Sequence, residues 1–215
     1  MATTDTRLAF VSGTRLPGWV ERFAASHGAV NGEELDGGLQ LRAADGAAAL
    51  LQAPWPVDGR PGRGSDAVSR LASLAGQPRS IGAVLVRRGG YSVAVISAGA
   101  VLASKTGTRH VQSRTAAGGW SQQRFARRRA NQADALVEAV ADHAARIFGA
   151  HPIEYIAPGG DRTLAEQVLD EPVLKQYGAL ARLAFLDVPD PRAAVLKKAA
   201  ADLCAVRILV TDPPA

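Results

Sequence analysis

Residues 113 to 132 read SRTAAGGWSQQRFARRRANQ. Gly118, Gly119, Trp120, Gln122, Gln123 and the arginines at 114, 124, 127, 128 and 129 fall in this one stretch, with no carboxylate, histidine or cysteine among them. Such a set offers no ordinary acid or base at neutral pH. It offers a positioned amide instead. A glutamine can orient a water, and its backbone N–H can stabilise an oxyanion. Two glycines let the backbone enter a narrow site, and arginines behind them can grip phosphates. Trp120 either packs the segment onto its domain or stacks on a nucleotide base.

Other chemistries lack their residues. A two-metal nuclease needs clustered carboxylates on central strands, and there is no Asp or Glu from Ala67 to Ala133. Ser121 has no nucleophile-elbow context, and His110, His143 and His151 stand in no recognisable relation to it. No phosphate-binding GxxxxGK[ST] loop is present. The one cysteine, Cys204, lies in the apolar run ADLCAVRILV and reads as a buried small hydrophobe rather than part of a disulfide or thiolate site.

Charge is segregated. The stretch without carboxylates holds eleven of the 25 Lys and Arg residues, which leaves 14 against all 20 Asp and Glu elsewhere. A cationic segment on an otherwise acidic chain marks a polyanion-binding face. A basic, merely solvated surface is the alternative. The N-terminus MATTDTRLAF has no basic and apolar leader pattern, and no apolar stretch is long enough to span a bilayer. A cytoplasmic protein without membrane association is expected.

The elements that must position this segment follow from patterning. RLAFVSG (7–13) reads as a strand, and LPGWVERFAASHG (16–28) as a helix with Pro17 in its first turn and Gly28 at its cap. GGLQLRAA (37–44) is a second strand, and DGAAALLQAPWP leads out of it. Residues 56–66 have linker composition. These bound a small N-terminal α+β module with its linker, 1–66, and a second domain, 76–215. In the second, IGAVLV (81–86), YSVAVIS (91–97) and VLASKTG (101–107) form a β-meander, with tight turns at Arg87–Gly90 and Ala98–Ala100. A fourth short strand over 109–114 is the natural continuation.

A long helix follows, from about Ser121 to Phe148. At about 100° per residue, Arg124, Arg127 and Arg128 share one face near its start, while Phe125, Leu136, Val140, Ala144 and Ile147 lie opposite. Beyond it the chain alternates: a strand at 153–157, a helix at 161–171 capped by Asp161, a strand at 181–188, a helix at 190–204 and a closing strand at 205–212. The class is α/β (α+β), with a mixed sheet in the order of an RNase H-like domain.

The meander, the glycine- and glutamine-bearing segment and the long basic helix together resemble the middle domain of eukaryotic and archaeal class 1 peptide-chain release factors. Those factors carry Gly-Gly-Gln. Gly119-Trp120-Ser121-Gln122 matches instead the looser Gly-x-x-Gln of the Vms-like (VLRF) peptidyl-tRNA hydrolases, and GGWSQQRFARRRANQ is most similar to bacterial, chiefly actinobacterial, members of that branch. The resemblance covers about residues 80 to 212. It implies an enzyme of ribosome quality control that hydrolyses the ester of peptidyl-tRNA on stalled large ribosomal subunits, without metal or small-molecule cofactor. It implies Gln122 as the catalytic residue, aided by Gly118 and Gly119, with Gln123 as the alternative. Arg109, Arg114, Trp120, Arg124, Arg127 and Arg128 would contact ribosomal RNA. Off the ribosome a monomer is expected. Because Gly118-Gly119 is not followed directly by Gln, and no stop-codon-reading domain is evident, rescue is favoured over termination. Two alternatives stay open: a non-catalytic ribosome- or RNA-binding module, and a tRNA-directed nuclease. Gln122 also reads as an ordinary residue of a first helical turn, and the arginines as a solvated face.

Overall fold

The structure, a computed structural model, describes residues 6–108 and 121–213, and for 121–130 the backbone alone. In chain order the elements are β1 (Thr6–Val11), α1 (Leu16–His27), β2 (Val30–Leu35), β3 (Gly38–Ala43), β4 (Ala48–Gln52), α2 (Ala67–Ala75), β5 (Ser80–Arg87), β6 (Gly90–Ser97), β7 (Ala100–Thr108), α3 (Ser121–Phe148), β8 (Tyr155–Gly160), α4 (Arg162–Leu169), β9 (Ala181–Arg182), α5 (Ala193–Leu203) and β10 (Val206–Thr211). Short 3-10 turns occupy Gly13–Arg15 and Pro172–Tyr177. The chain divides into two compact units, Met1–Pro78 with Ala201–Ala215, and Arg79–Ala200.

The first unit is a five-stranded antiparallel sheet in the order β1-β10-β4-β3-β2. Alternate residues Leu39, Leu41, Ala49, Leu51, Val206, Ile208 and Val210 form its core with Leu16 and Phe23 of α1 and Leu71 and Ala75 of α2. The opposite face leaves Leu8 and Phe10 exposed. Helix α1 ends as expected: Gly28 adopts φ 85° and its N–H reaches the Ala24 carbonyl at 2.9 Å.

The structure corrects the sequence reading in this unit. The closing strand, expected in the second domain, instead inserts between β1 and β4, with Thr6 opposite Thr211 and Leu209 opposite Leu50. Its burial alternates strictly. That suits a sheet covered on one face, whereas a central strand of the second sheet is buried on both. Strands β2 and β4 and helix α2 had no counterpart in the sequence reading. The last begins directly after the linker-like stretch, with the Asp66 carboxylate accepting from Ser69 N at 2.9 Å. Cys204 is half-buried rather than buried.

The second unit carries a mixed sheet in the order β7-β6-β5-β8-β9. The meander forms as expected, antiparallel from β5 through β7. Its second turn places Ala98 at φ 49° and Gly99 at φ 76°. Two successive positive φ values are what a hairpin between right-twisted strands requires. β8 then returns parallel to β5. Between them α3 crosses one face of the sheet, with Leu136, Val137, Val140, Ala141, Ala144 and Phe148 packed on Val84 and Val86 of β5 and Tyr91, Val93 and Val95 of β6. Of the expected apolar stripe, Leu136, Val140 and Ala144 are buried and Ile147 is half-buried, while the side chain of Phe125 lies outside the described residues. Asp161 caps α4, accepting from Leu164 N at 3.1 Å. The strand expected at 181–188 is reduced to Ala181–Arg182 and one bridge from Leu186 to Gly159. This segment lies at the sheet edge with Ala181 and Arg182 exposed, and beyond the bridge the Val188 carbonyl accepts from Arg87 Nε at 2.6 Å instead of from a strand.

Candidate functional site

The expected site falls at the join of β7 and α3. The connection 109–120 carries Arg109, Arg114, Gly118, Gly119 and Trp120, all of which lie outside the described residues, as does the short strand expected over 109–114. Gln122 and Gln123 are the second and third residues of α3, and Arg124, Arg127 and Arg128 follow within its opening turns. Their backbone is helical from Ser121, where the sequence places the helix start; their side chains also lie outside the described residues. The first four N–H groups of an α-helix have no intrahelical acceptor, and the positive end of the helix dipole points the same way. Gln122 lies in that first turn.

Packing on the β7 side of the connection is described by one aromatic ring. On the β7 side, Gly107 pairs with Tyr91 of β6. The Tyr91 ring passes so close over Gly107 that a Cβ there would stand 2.6 Å from the ring. The same ring stacks on His143 of α3, with centroids 5.6 Å apart and planes inclined by 19°. The end of β7 and the body of α3 are thereby joined through one aromatic side chain. Sequence reasoning missed this packing of Tyr91 on Gly107. The available signal was a glycine inside the strand pattern of VLASKTG, which marks a close approach.

The electrostatics are local. Arg146 Nη2 lies 3.3 Å from His143 Nδ1. Arginine can only donate, so Nδ1 accepts and the imidazole is neutral. Burial is the main force holding His143 below its ordinary value, followed by the charges of Arg146 and Lys105, with Asp142 acting in the opposite direction.

The basic stretch is less uniform in space than in sequence. Arg79 is fully buried, with Nη1 donating to the Tyr155 hydroxyl at 2.6 Å. Arg87 pairs with Asp187 at 2.9 Å. Arg70 belongs to the first unit, where it pairs with Glu34. Carboxylates distant in sequence neutralise two of these charges. Arg88 and Lys105 are exposed. A cavity of about 420 Å³ in the first unit, lined among others by Leu35, Trp55, Val57 and Leu74, contains none of the residues expected at the site.

A β-meander, a glycine-bearing connection and a long helix with Gln122 in its first turn follow one another in the second unit. A family model described as Actinobacteria/chloroflexi VLRF1 release factor matches residues 79–209, and the chain belongs to that family. The match begins at the first residue of the second unit. No curated protein matches the chain. No helix among the described residues is long and apolar enough to cross a membrane.

Proposed function

We propose that the protein is a ribosome-associated peptidyl-tRNA hydrolase that frees nascent chains from stalled large subunits. The observation that carries this reading is the coincidence of Gly119-x-x-Gln122 with the start of α3 inside a range matched by a release-factor family. In the proposed reaction the Gln122 side chain orients a water against the ester carbonyl carbon. The tetrahedral oxyanion is met by backbone N–H groups at the helix start. Collapse expels the tRNA ribose hydroxyl and releases the peptide acid. Gln122 supplies position rather than a proton, so the large subunit must provide substrate orientation and exclude bulk water.

Gly118 and Gly119 admit the backbone to the ester. Arg109, Arg114, Arg124, Arg127 and Arg128 bind RNA phosphates, and Trp120 stacks on a base or packs the segment. We read the sheet order β7-β6-β5-β8-β9 as support for the RNase H-like assignment. The action is cytoplasmic, by a monomer, without metal or small-molecule cofactor, and its substrates are rescue complexes rather than stop codons. Release of nascent peptide from purified large subunits carrying peptidyl-tRNA, comparing wild type with Gln122→Ala, tests the reading.

A further inference from the structure

Lys105, His143 and Arg146 stand apart from the residues assigned above. Lys105 pairs across the ladder with Val93, whose side chain is in the core beneath α3. Paired residues of an antiparallel ladder share a face, so Lys105 projects on the α3 side of the sheet. It is exposed, on the edge strand. His143 lies flat against Tyr91 of β6, and Arg146, exposed one turn further along α3, donates to its Nδ1. That contact leaves the ring proton on Nε2. An ammonium, a guanidinium and an imidazole N–H are all donors, and a phosphate oxygen is the acceptor they suit.

We propose that Lys105, His143 and Arg146 form a second binding site for RNA backbone phosphate, on the β7 side of α3. The proposal rests on the RNA-directed reading above and extends it. At about 1.5 Å per residue, Arg146 stands roughly 27 Å along the helix from Arg128. One phosphate cannot reach both, so the site takes a separate stretch of the same RNA.

The groups facing His143 are Lys105 from β7, Tyr91 from β6, and Arg146 and Asp142 from α3. In the free protein, burial and then the charges of Arg146 and Lys105 hold the imidazole pKa below its ordinary value. A bound phosphate draws the Arg146 guanidinium from Nδ1, opposes both cations and favours the imidazolium. Binding therefore takes up a proton, and affinity climbs as pH falls through the range in which the bound imidazole titrates.

The test is binding of the full-length protein to purified large ribosomal subunits, as log affinity against log salt concentration and against pH. Lys105→Gln with Arg146→Gln, both exposed and outside the core, should lower the salt slope by about 2. His143→Gln should remove the rise in affinity at low pH while leaving the slope of the other contacts. A double variant with the wild-type slope overturns the proposal. So does competition by inorganic phosphate alone when the double variant keeps that slope, because the cluster would then be a local anion site. Peptide release is a separate readout: failure of the Gln122 reading would leave these binding slopes in place.

Discussion

The Tyr91 ring occupies the space that a side chain at residue 107 would need, with Cε1 2.6 Å from the position of a Cβ on Gly107. The two residues face each other across β6 and β7, one position before the strand ends at Thr108. The same ring stacks on His143 of α3, so one side chain joins the end of β7 to the body of that helix.

Gly107→Ala should displace Tyr91 and loosen its packing between β7 and α3. Overpacking of this kind costs roughly 1–3 kcal/mol. Gly89→Ala is the matched control, since a Cβ there meets nothing within 4 Å. Chemical denaturation of both variants checks this. Equal stability of Gly107→Ala and Gly89→Ala would contradict the described packing.

Phe148 closes the core at the far end of α3. It is fully buried, edge-on to Tyr177 at 5.4 Å, and its ring covers Gly82. Phe148→Ala should destabilise the second unit by about 3–5 kcal/mol. Amide exchange over β5, β6 and α3 would show the loss in that unit. An unchanged exchange pattern there would count against α3 as the lid of this core.

The Asp66 carboxylate is held below its ordinary pKa of 3.8, first by the Ser69 hydroxyl and then by the Ser69 N–H. A depressed native pKa means that the native state favours the ionised form. The stability it contributes is present above 3.8 and is lost as pH falls through the lower native value. Asp66→Ala should therefore weaken α2 at neutral pH, with the difference from wild type shrinking in acid. Thermal melts across that range would reveal a constant difference if the cap were irrelevant.

The meander was legible because its apolar runs stop at turn residues, with Arg88-Gly89 and Ala98-Gly99 falling between paired strands. Helix α3 was legible from its stripe, and α4 from Asp161. The partner of β10 was not. VRILVT states that one face is buried, but not that its neighbours are Thr6–Val11 and Ala48–Gln52, far away in the chain. β2 was hidden for another reason: VNGEEL holds Asn, Gly and two Glu, poor strand formers, and it forms by pairing with β3 from Leu35 opposite Gly38. For the candidate site, Gly-x-x-Gln was visible only through likeness to a family. The packing of Tyr91 against Gly107 and His143 joins three separate elements, which no local pattern encodes.

The arginines of the early α3 turns are expected to grip RNA. Replacing Arg124, Arg127 and Arg128 together by Ala should weaken binding to large subunits and lower the salt slope by about 3. Every RNA phosphate that an arginine ceases to neutralise keeps roughly one counterion that binding would otherwise release. Unchanged binding in this triple variant would leave the basic segment as a solvated surface.

The most direct test of the central claim is nascent-peptide release from large subunits carrying peptidyl-tRNA, measured for wild type, Gln122→Ala and Gln123→Ala, with subunit binding followed in parallel. The account predicts release by wild type and by Gln123→Ala, and loss with Gln122→Ala while binding persists. Loss with Gln123→Ala alone would move the site by one residue. Absence of release by a wild-type protein that still binds would contradict the account and leave an RNA-binding factor on this fold.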